Sequence, residues 1–210
     1  MHEMQRGGNV LVLWNQTEED IYELWRREGP RPLAWDPKRT APDVGTVAEE
    51  MDAMMQAIRS CGYNAEMVNI EDSLDRLLSA IRLFKPDVIV NLVEYFNDDS
   101  SQESYVAGLY EMMGVEYTGN RPQTLTTCQN KYRTKLLLEA HELPTSPYFL
   151  VTEEPVPTDH DLVFPLIVKP ALEDASGGIE SSSVVQDQTE LEVRVRHVLK
   201  EYMMPVLVEE

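Results

Sequence analysis

Between residues 9 and 119 the chain switches repeatedly between a short apolar run and a stretch with apolar residues at helical spacing. The runs are 9–14 (NVLVLW), 64–70 (NAEMVNI), 87–93 (DVIVNLV) and 115–119 (VEYTG). Near-continuous apolar runs suit parallel strands covered on both faces. Between them, Val47, Met51, Met54, Met55, Ile58 and Cys61 fall on one helical face, with Gly62 as a stop. A second helix carries Leu74, Leu77, Leu78 and Ile81 and starts at Asp72 or Ser73. A third carries Tyr105, Leu109 and Met112, with Val106 and Met113 alongside, and stops at Gly114. Strand–helix alternation of this kind predicts an open parallel α/β sheet. Its ligand edge lies beyond the strand C-termini, which carry Asn15, Ile70, Glu71, Glu94, Thr118, Gly119 and Asn120. No GxGxxG follows the first strand, so a dinucleotide-binding turn is not expected there. The proline-rich stretch 15–45 reads as one long loop, a lid or a surface insertion.

The pattern changes near residue 122. A basic helix runs from Asn130 through Lys131, Arg133 and Lys135 into Leu136, Leu137 and Leu138, and stops near His141. Strands are expected at 148–151, 164–170 and 205–210, with 181–185 pairing back as a hairpin. A helix with Leu191, Val195, Val198, Leu199 and Tyr202 on one face opens with Thr189 and Glu192 at capping-box spacing. The expected organisation is an N-terminal α/β domain over 1–122 and a small α+β domain over 123–210, with the linker near 120–130.

Charge narrows the function classes. Asp and Glu total 37 against 18 Lys and Arg, a net charge of -19. Nucleic acid and anionic membrane surfaces demand a basic face, so neither is an expected partner. A phosphate-bearing small molecule needs only a local positive pocket. The two cysteines, Cys61 and Cys128, form no metal spacing or disulfide framework and suit a reducing cytoplasm. The first eight residues contain no apolar signal-peptide core, and no apolar run reaches the roughly 18 residues of a membrane span. The four histidines are scattered at no ligand spacing.

Chemistry concentrates near the C-terminus. The run FPLIVKP delivers Lys169 to the end of an apolar strand, and the acidic, small-residue loop 173–178 follows it. An unpaired ammonium is costly to bury, so Lys169 either emerges into water or meets an anion. Gly177 and Gly178 allow backbone N–H groups to turn toward an anion and Ser176 adds a hydroxyl, although an ordinary hairpin loop looks the same. No GK[ST] follows, so the loop is not a P-loop. Lys131, Arg133 and Lys135 open a helix, where the helix dipole disfavours cations. That conflict fits either an anionic ligand or a solvated basic patch.

In order and spacing these segments resemble an ATP-grasp ligase, most similar to the D-alanine–D-alanine ligase group. The resemblance rests on KPDVIVNL at 85–92, MGVEYTG at 113–119, Asn130-Lys131 with Lys135-Leu136-Leu137, and Leu143-Pro144-Thr145. It continues through 164–170, the 173–178 loop and Val206 to Glu210. It implies a pre-ATP-grasp α/β sheet followed by the first half of an ATP-grasp domain. Lys131 and Lys169 would hold ATP phosphates, with Ser176, Gly177 and Gly178 in the loop that folds over them. Glu209 and Glu210 would meet the adenine.

The implied reaction uses ATP and Mg²⁺ to convert a carboxylate to an acyl phosphate, which an amine displaces to give an amide. Small-molecule substrates, a possible homodimer and a cytoplasmic location are implied with it. Three departures touch substrate recognition: Val93-Glu94-Tyr95-Phe96 replaces a His-Gly pair, the glutamate-bearing Ser/His motif after the first strand is not recognisable in residues 15–45, and Ala175-Ser176 replaces two serines. The resemblance therefore implies ATP use without implying D-alanine, and Glu94 is a candidate for a substrate ammonium. The family's metal-binding carboxylates, their Asn and an oxyanion-stabilising Arg follow the hinge. The chain is thus expected to be part of a longer ligase, without metal ligands or turnover of its own; substrate-dependent ADP release would overturn that. The alternatives are a stand-alone nucleotide-binding or regulatory protein and a flavodoxin-like module with an unrelated appended domain.

Overall fold

The computed structural model describes residues 7–18, 21–28, 38, 40, 45–97, 99–173 and 178–210. These form two compact units. One comprises Met1–Asp99 with Val106–Gly119, the other Ser100–Tyr105 with Asn120–Glu210.

In the first unit, β1 (Asn9–Trp14) lies between β2 (Asn64–Asn69) and β3 (Val88–Leu92), and β4 (Glu116–Tyr117) extends the sheet beyond β3. All pairings are parallel, as expected from the strand–helix alternation. The apolar run of β1 divides between two cores. Val10 and Val12 pack with Met55 of α2 (Val47–Ser60), while Leu11 and Leu13 join Leu77 and Ile81 of α3 (Leu74–Phe84). Successive strand side chains point to opposite faces, so a strand covered on both sides has no polar face to show. Ser73 caps α3, its hydroxyl accepting from Arg76 N at 3.3 Å.

Three sequence expectations change here. Within 15–45, read as one loop, Ile21–Glu28 forms a helix, α1. Its acidic first turn and basic last turn match the helix dipole. In α4 (Glu103–Met113) the buried face is Val106, Ala107 and Tyr110, while Tyr105 and Met112 are exposed. The phenol explains the difference: Tyr110 buries its ring and donates its hydroxyl to Asn91 Oδ1 at 3.1 Å, so a polar-tipped residue serves as core. Residues 122–129, read as linker, form α5 (Pro122–Gln129), with proline in its first turn and no buried residue.

Thr46 closes a capping box with Glu49 at the start of α2, and Arg26 grips the same carboxylate through two hydrogen bonds of 2.8 and 3.0 Å. The Arg26 hydrogen bond, then that from the Thr46 backbone, hold Glu49 at about 2 against the ordinary 4.5. Its folded form resists protonation, so its contribution to stability is present above about 4.5 and lost as pH falls toward about 2. Arg26→Met is expected to move the Glu49 titration back toward the ordinary carboxylate range, read by side-chain carboxyl NMR. An unmoved midpoint would exclude Arg26 as the cause.

The second unit is a four-stranded antiparallel sheet in the order β5-β8-β6-β7, from β5 (Tyr148–Val151), β6 (Leu166–Pro170), β7 (Val184–Val185) and β8 (Val206–Glu209). The helix α7 (Gln188–Tyr202) covers one face, packing Leu191, Val195 and Val198 onto Leu166, Val168, Val206 and Val208. Its cap is Asp187 rather than Thr189: the Asp187 carboxylate accepts from Glu190 N at 2.9 Å and the Glu190 carboxylate accepts from Gln186 N at 2.8 Å. The expected capping pattern is thus shifted by two residues, because Asp187 competes well with a threonine for the cap position. Among the described residues no helix is long and apolar enough to cross a membrane.

Candidate functional site

The site forms on the sheet face turned away from α7. In the antiparallel register of β6 and β8, Val168 faces Val208, Lys169 faces Leu207 and Ile167 faces Glu209. Val168 and Val208 belong to the apolar core under α7. Lys169 and Glu209 therefore share the opposite face as diagonal neighbours, within reach of a long side chain. The Lys169 ammonium donates to Glu209 Oε1.

The second lysine comes from α6 (Lys131–Ala140), capped by Asn130, whose side chain accepts from Arg133 N at 2.9 Å. One turn in, Lys135 reaches Glu209 Oε2 at 2.7 Å. Its ammonium also donates to Thr145 Oγ1 at 2.9 Å and Ser146 O at 3.0 Å, and it lies 4.8 Å from the centre of the Tyr148 ring. An ammonium carries three donors, so Lys135 is saturated. Glu209 is buried between two cations. Burial pushes its carboxyl up, and the hydrogen bonds from Lys135 and Lys169 outweigh that, leaving it below the ordinary range.

Lys131, at the first position of α6, ties the helix to the loop that follows β6. Its backbone N–H donates to Ala171 O at 3.0 Å and its ammonium to the Glu173 carbonyl. At the far stem of that loop Gly178 adopts φ +69°, and a Cβ there would meet Pro170 Cγ at 2.5 Å and Tyr202 Cζ at 2.8 Å. Arg194, buried on α7, donates to Gly178 O at 2.7 Å and Ser183 Oγ at 2.9 Å.

Of the residues singled out from sequence, Lys131, Lys169, Gly178 and Glu209 thus converge on the ends of β6 and β8 and the roots of one loop. Ser176 and Gly177 lie outside the described residues. Glu210 is exposed at the end of β8, its carboxylate accepting from Val163 N at 2.9 Å and its own N–H donating to Pro147 O at 3.2 Å. Glu94 is exposed after β3 and belongs to the other unit. Sequence reading grouped Lys135 with the basic patch and missed its pairing with Glu209. The available clue was the four-residue spacing from Lys131, which puts both lysines on one helix face.

Chemically, two lysines on one carboxylate, with Lys131 at the root of the neighbouring loop, make a local cationic region on a chain of net charge -19. Beside a loop with a tight glycine stem, that region suits a phosphate-bearing ligand. Among the described residues no three His, Cys, Asp or Glu side chains gather to hold a metal ion.

No protein-family model matches the chain. An uncharacterized protein of Sinorhizobium fredii is 29% identical over 209 residues, covering 96% of this chain and 57% of its own length. The D-alanine–D-alanine ligase of Halorhodospira halophila is 32% identical over 148 residues, covering 67% of this chain and 46% of that ligase. Among solved structures, the Bacillus anthracis D-alanine–D-alanine ligase complexed with ATP superposes with a TM-score of 0.63 at 18% identity, covering 97% of this chain and 58% of that one. The chain spans about half the length of the curated relatives it matches. By sequence and by fold it is a relative of the D-alanine–D-alanine ligases, built on the ATP-grasp plan.

Proposed function

We propose that this chain supplies a nucleotide-binding part of an ATP-dependent carboxylate–amine ligase, one that activates an amino acid or related carboxylate as an acyl phosphate for attack by an amine. The observation that carries the reading is the pairing of Lys135 and Lys169 on Glu209, with Lys131 tied to Glu173 at the root of the loop that follows β6. Support also comes from the ligase relatives and from the ATP bound in the structurally similar Bacillus anthracis ligase.

In this reading Lys131 and Lys169 contact the phosphates, the loop with Ser176, Gly177 and Gly178 closes over them, and Glu209 with the backbone at Glu210 meets the base. Glu94 is the candidate for a substrate ammonium. Phosphoryl transfer asks mainly for charge neutralisation and alignment, and lysines on a strand and a helix end supply both. ATP chemistry of this class employs Mg²⁺. Among the described residues no three His, Cys, Asp or Glu side chains gather to hold it.

Isothermal titration of the purified chain with ATP tests the reading. Lys131→Met and Lys169→Met are each expected to weaken binding by about tenfold, the worth of one charge-assisted phosphate contact. Unchanged affinity in both variants would sink it.

A further inference from the structure

The two lysines on Glu209 are not equivalent. Lys135 is buried, only 9% of its side chain is exposed, and its three donors are taken by Glu209 Oε2, Thr145 Oγ1 and Ser146 O. Thr145 and Ser146 belong to the segment between α6 and β5, so Lys135 is tied to the fold independently of Glu209. Lys169 has 23% of its side chain exposed, and among the described residues its ammonium meets Glu209 alone. One ammonium is built in, and the other is held by a single bond at the edge of solvent.

We propose that Glu209 is a shared counter-ion with one permanent and one exchangeable partner: Lys135 holds it in place, while Lys169 leaves it for the phosphate of an incoming nucleotide. This rests on the nucleotide reading of the site. Glu209 masks the phosphate-binding charge of Lys169 until a stronger anion arrives. Lys135 keeps the carboxylate ionised and oriented after Lys169 has gone, which makes Lys135 a positioning residue. A partly exposed lysine can swing between acceptors at little cost. A saturated buried one cannot, since each lost donor would leave Thr145 or Ser146 short of its partner.

The exchange predicts opposite signs for two ligands. Inorganic tripolyphosphate carries the phosphates without a base, so binding it requires Lys169 but gains nothing from Glu209. Glu209→Gln keeps the side-chain length and removes the competing charge. It should tighten tripolyphosphate binding by about three- to fivefold, the worth of one partly exposed ion pair. The same change should weaken ATP binding, because the base loses a charged acceptor. Lys169→Met added to Glu209→Gln should abolish the gain. Glu139→Gln controls for net charge, since its carboxylate accepts from Tyr148 at 2.8 Å and is not held by Lys135 or Lys169. It should change tripolyphosphate affinity less than Glu209→Gln does.

A second measurement needs no variant. On titrating the wild-type chain with tripolyphosphate, the Lys169 ammonium NMR signal should shift and the Lys135 signal should stay. If Glu209→Gln gives no gain, if Glu139→Gln gives an equal one, or if Lys135 moves instead, the exchange is wrong while the nucleotide reading stands. If the wild-type chain binds neither ATP nor tripolyphosphate, the nucleotide reading falls and the exchange falls with it.

Discussion

Glu209→Ala is expected to destabilise the second unit by about 3 kcal/mol, the lower end of the range for breaking a buried ion pair by removing one partner. The substitution leaves two ammoniums facing each other across β6, β8 and α6 with no carboxylate between them. Lys169 is near enough to solvent to turn outward, which keeps the cost at the low end. Lys135 keeps Thr145, Ser146 and the Tyr148 ring, and loses only its ionic partner. Hydrogen exchange at the amides of Val168 and Val208, in the strands that flank the charges, reads the local loss without interference from the other unit.

The same carboxylate sets an acid limit. Glu209 holds its proton less readily folded than unfolded, so its contribution is complete above about 4.5 and disappears as pH falls through its depressed folded value. Replacing all three side chains, as Lys135→Met, Glu209→Leu and Lys169→Met together, should recover part of the stability, because apolar residues of similar size avoid the desolvation cost while Thr145 and Ser146 still lose the Lys135 donor. Recovery of stability with loss of nucleotide affinity would mark the charges as serving the ligand. A Glu209→Ala chain exchanging at the wild-type rate would show that the buried pairs contribute nothing.

How much of this was legible follows from the range of the interactions. The strands of the first unit were readable because burial on both faces forces uninterrupted apolar runs, and nearest neighbours along the chain suffice to show that. The buried face of α4 was not, because Tyr110 looks amphipathic until its hydroxyl finds Asn91 on β3. The helix α5 buries no residue and carries almost no periodic signal, so only its initial proline marked it. At the site, the strand that ends in Lys169 and the basic start of α6 were visible as segments. That Lys135 saturates itself on Thr145, Ser146 and Glu209 was not, because the pairing depends on the β6–β8 register and on where α6 lies against it. Sequence spacing reports one helix face at a time, and this cluster draws on a helix, a connecting segment and two strands.

Gly178→Ala should cost about 2–5 kcal/mol and weaken ATP binding in the same variant. Two effects add. An L-residue at φ +69° pays about 1–2 kcal/mol for the left-handed conformation. The new methyl would also sit 2.5 Å from Pro170 Cγ and 2.8 Å from Tyr202 Cζ, and overpacking of that kind costs about 1–3 kcal/mol. Neither neighbour yields easily: Pro170 is a ring at the end of β6, directly after Lys169, and Tyr202 closes α7. The clash would therefore be relieved by moving the loop stem, which Arg194 grips through Gly178 O. Gly119→Ala provides the comparison. Gly119 has φ +106° with nothing within 4 Å of the new methyl, so only conformational strain is expected there. Thermal melts of the two variants, each read in its own unit, separate strain from crowding. Equal losses would mean that Gly178 is needed only for its backbone angle. A larger loss at Gly178, joined to weaker ATP binding, would mean that the close approach of Pro170 and Tyr202 sets the loop where a phosphate can use it.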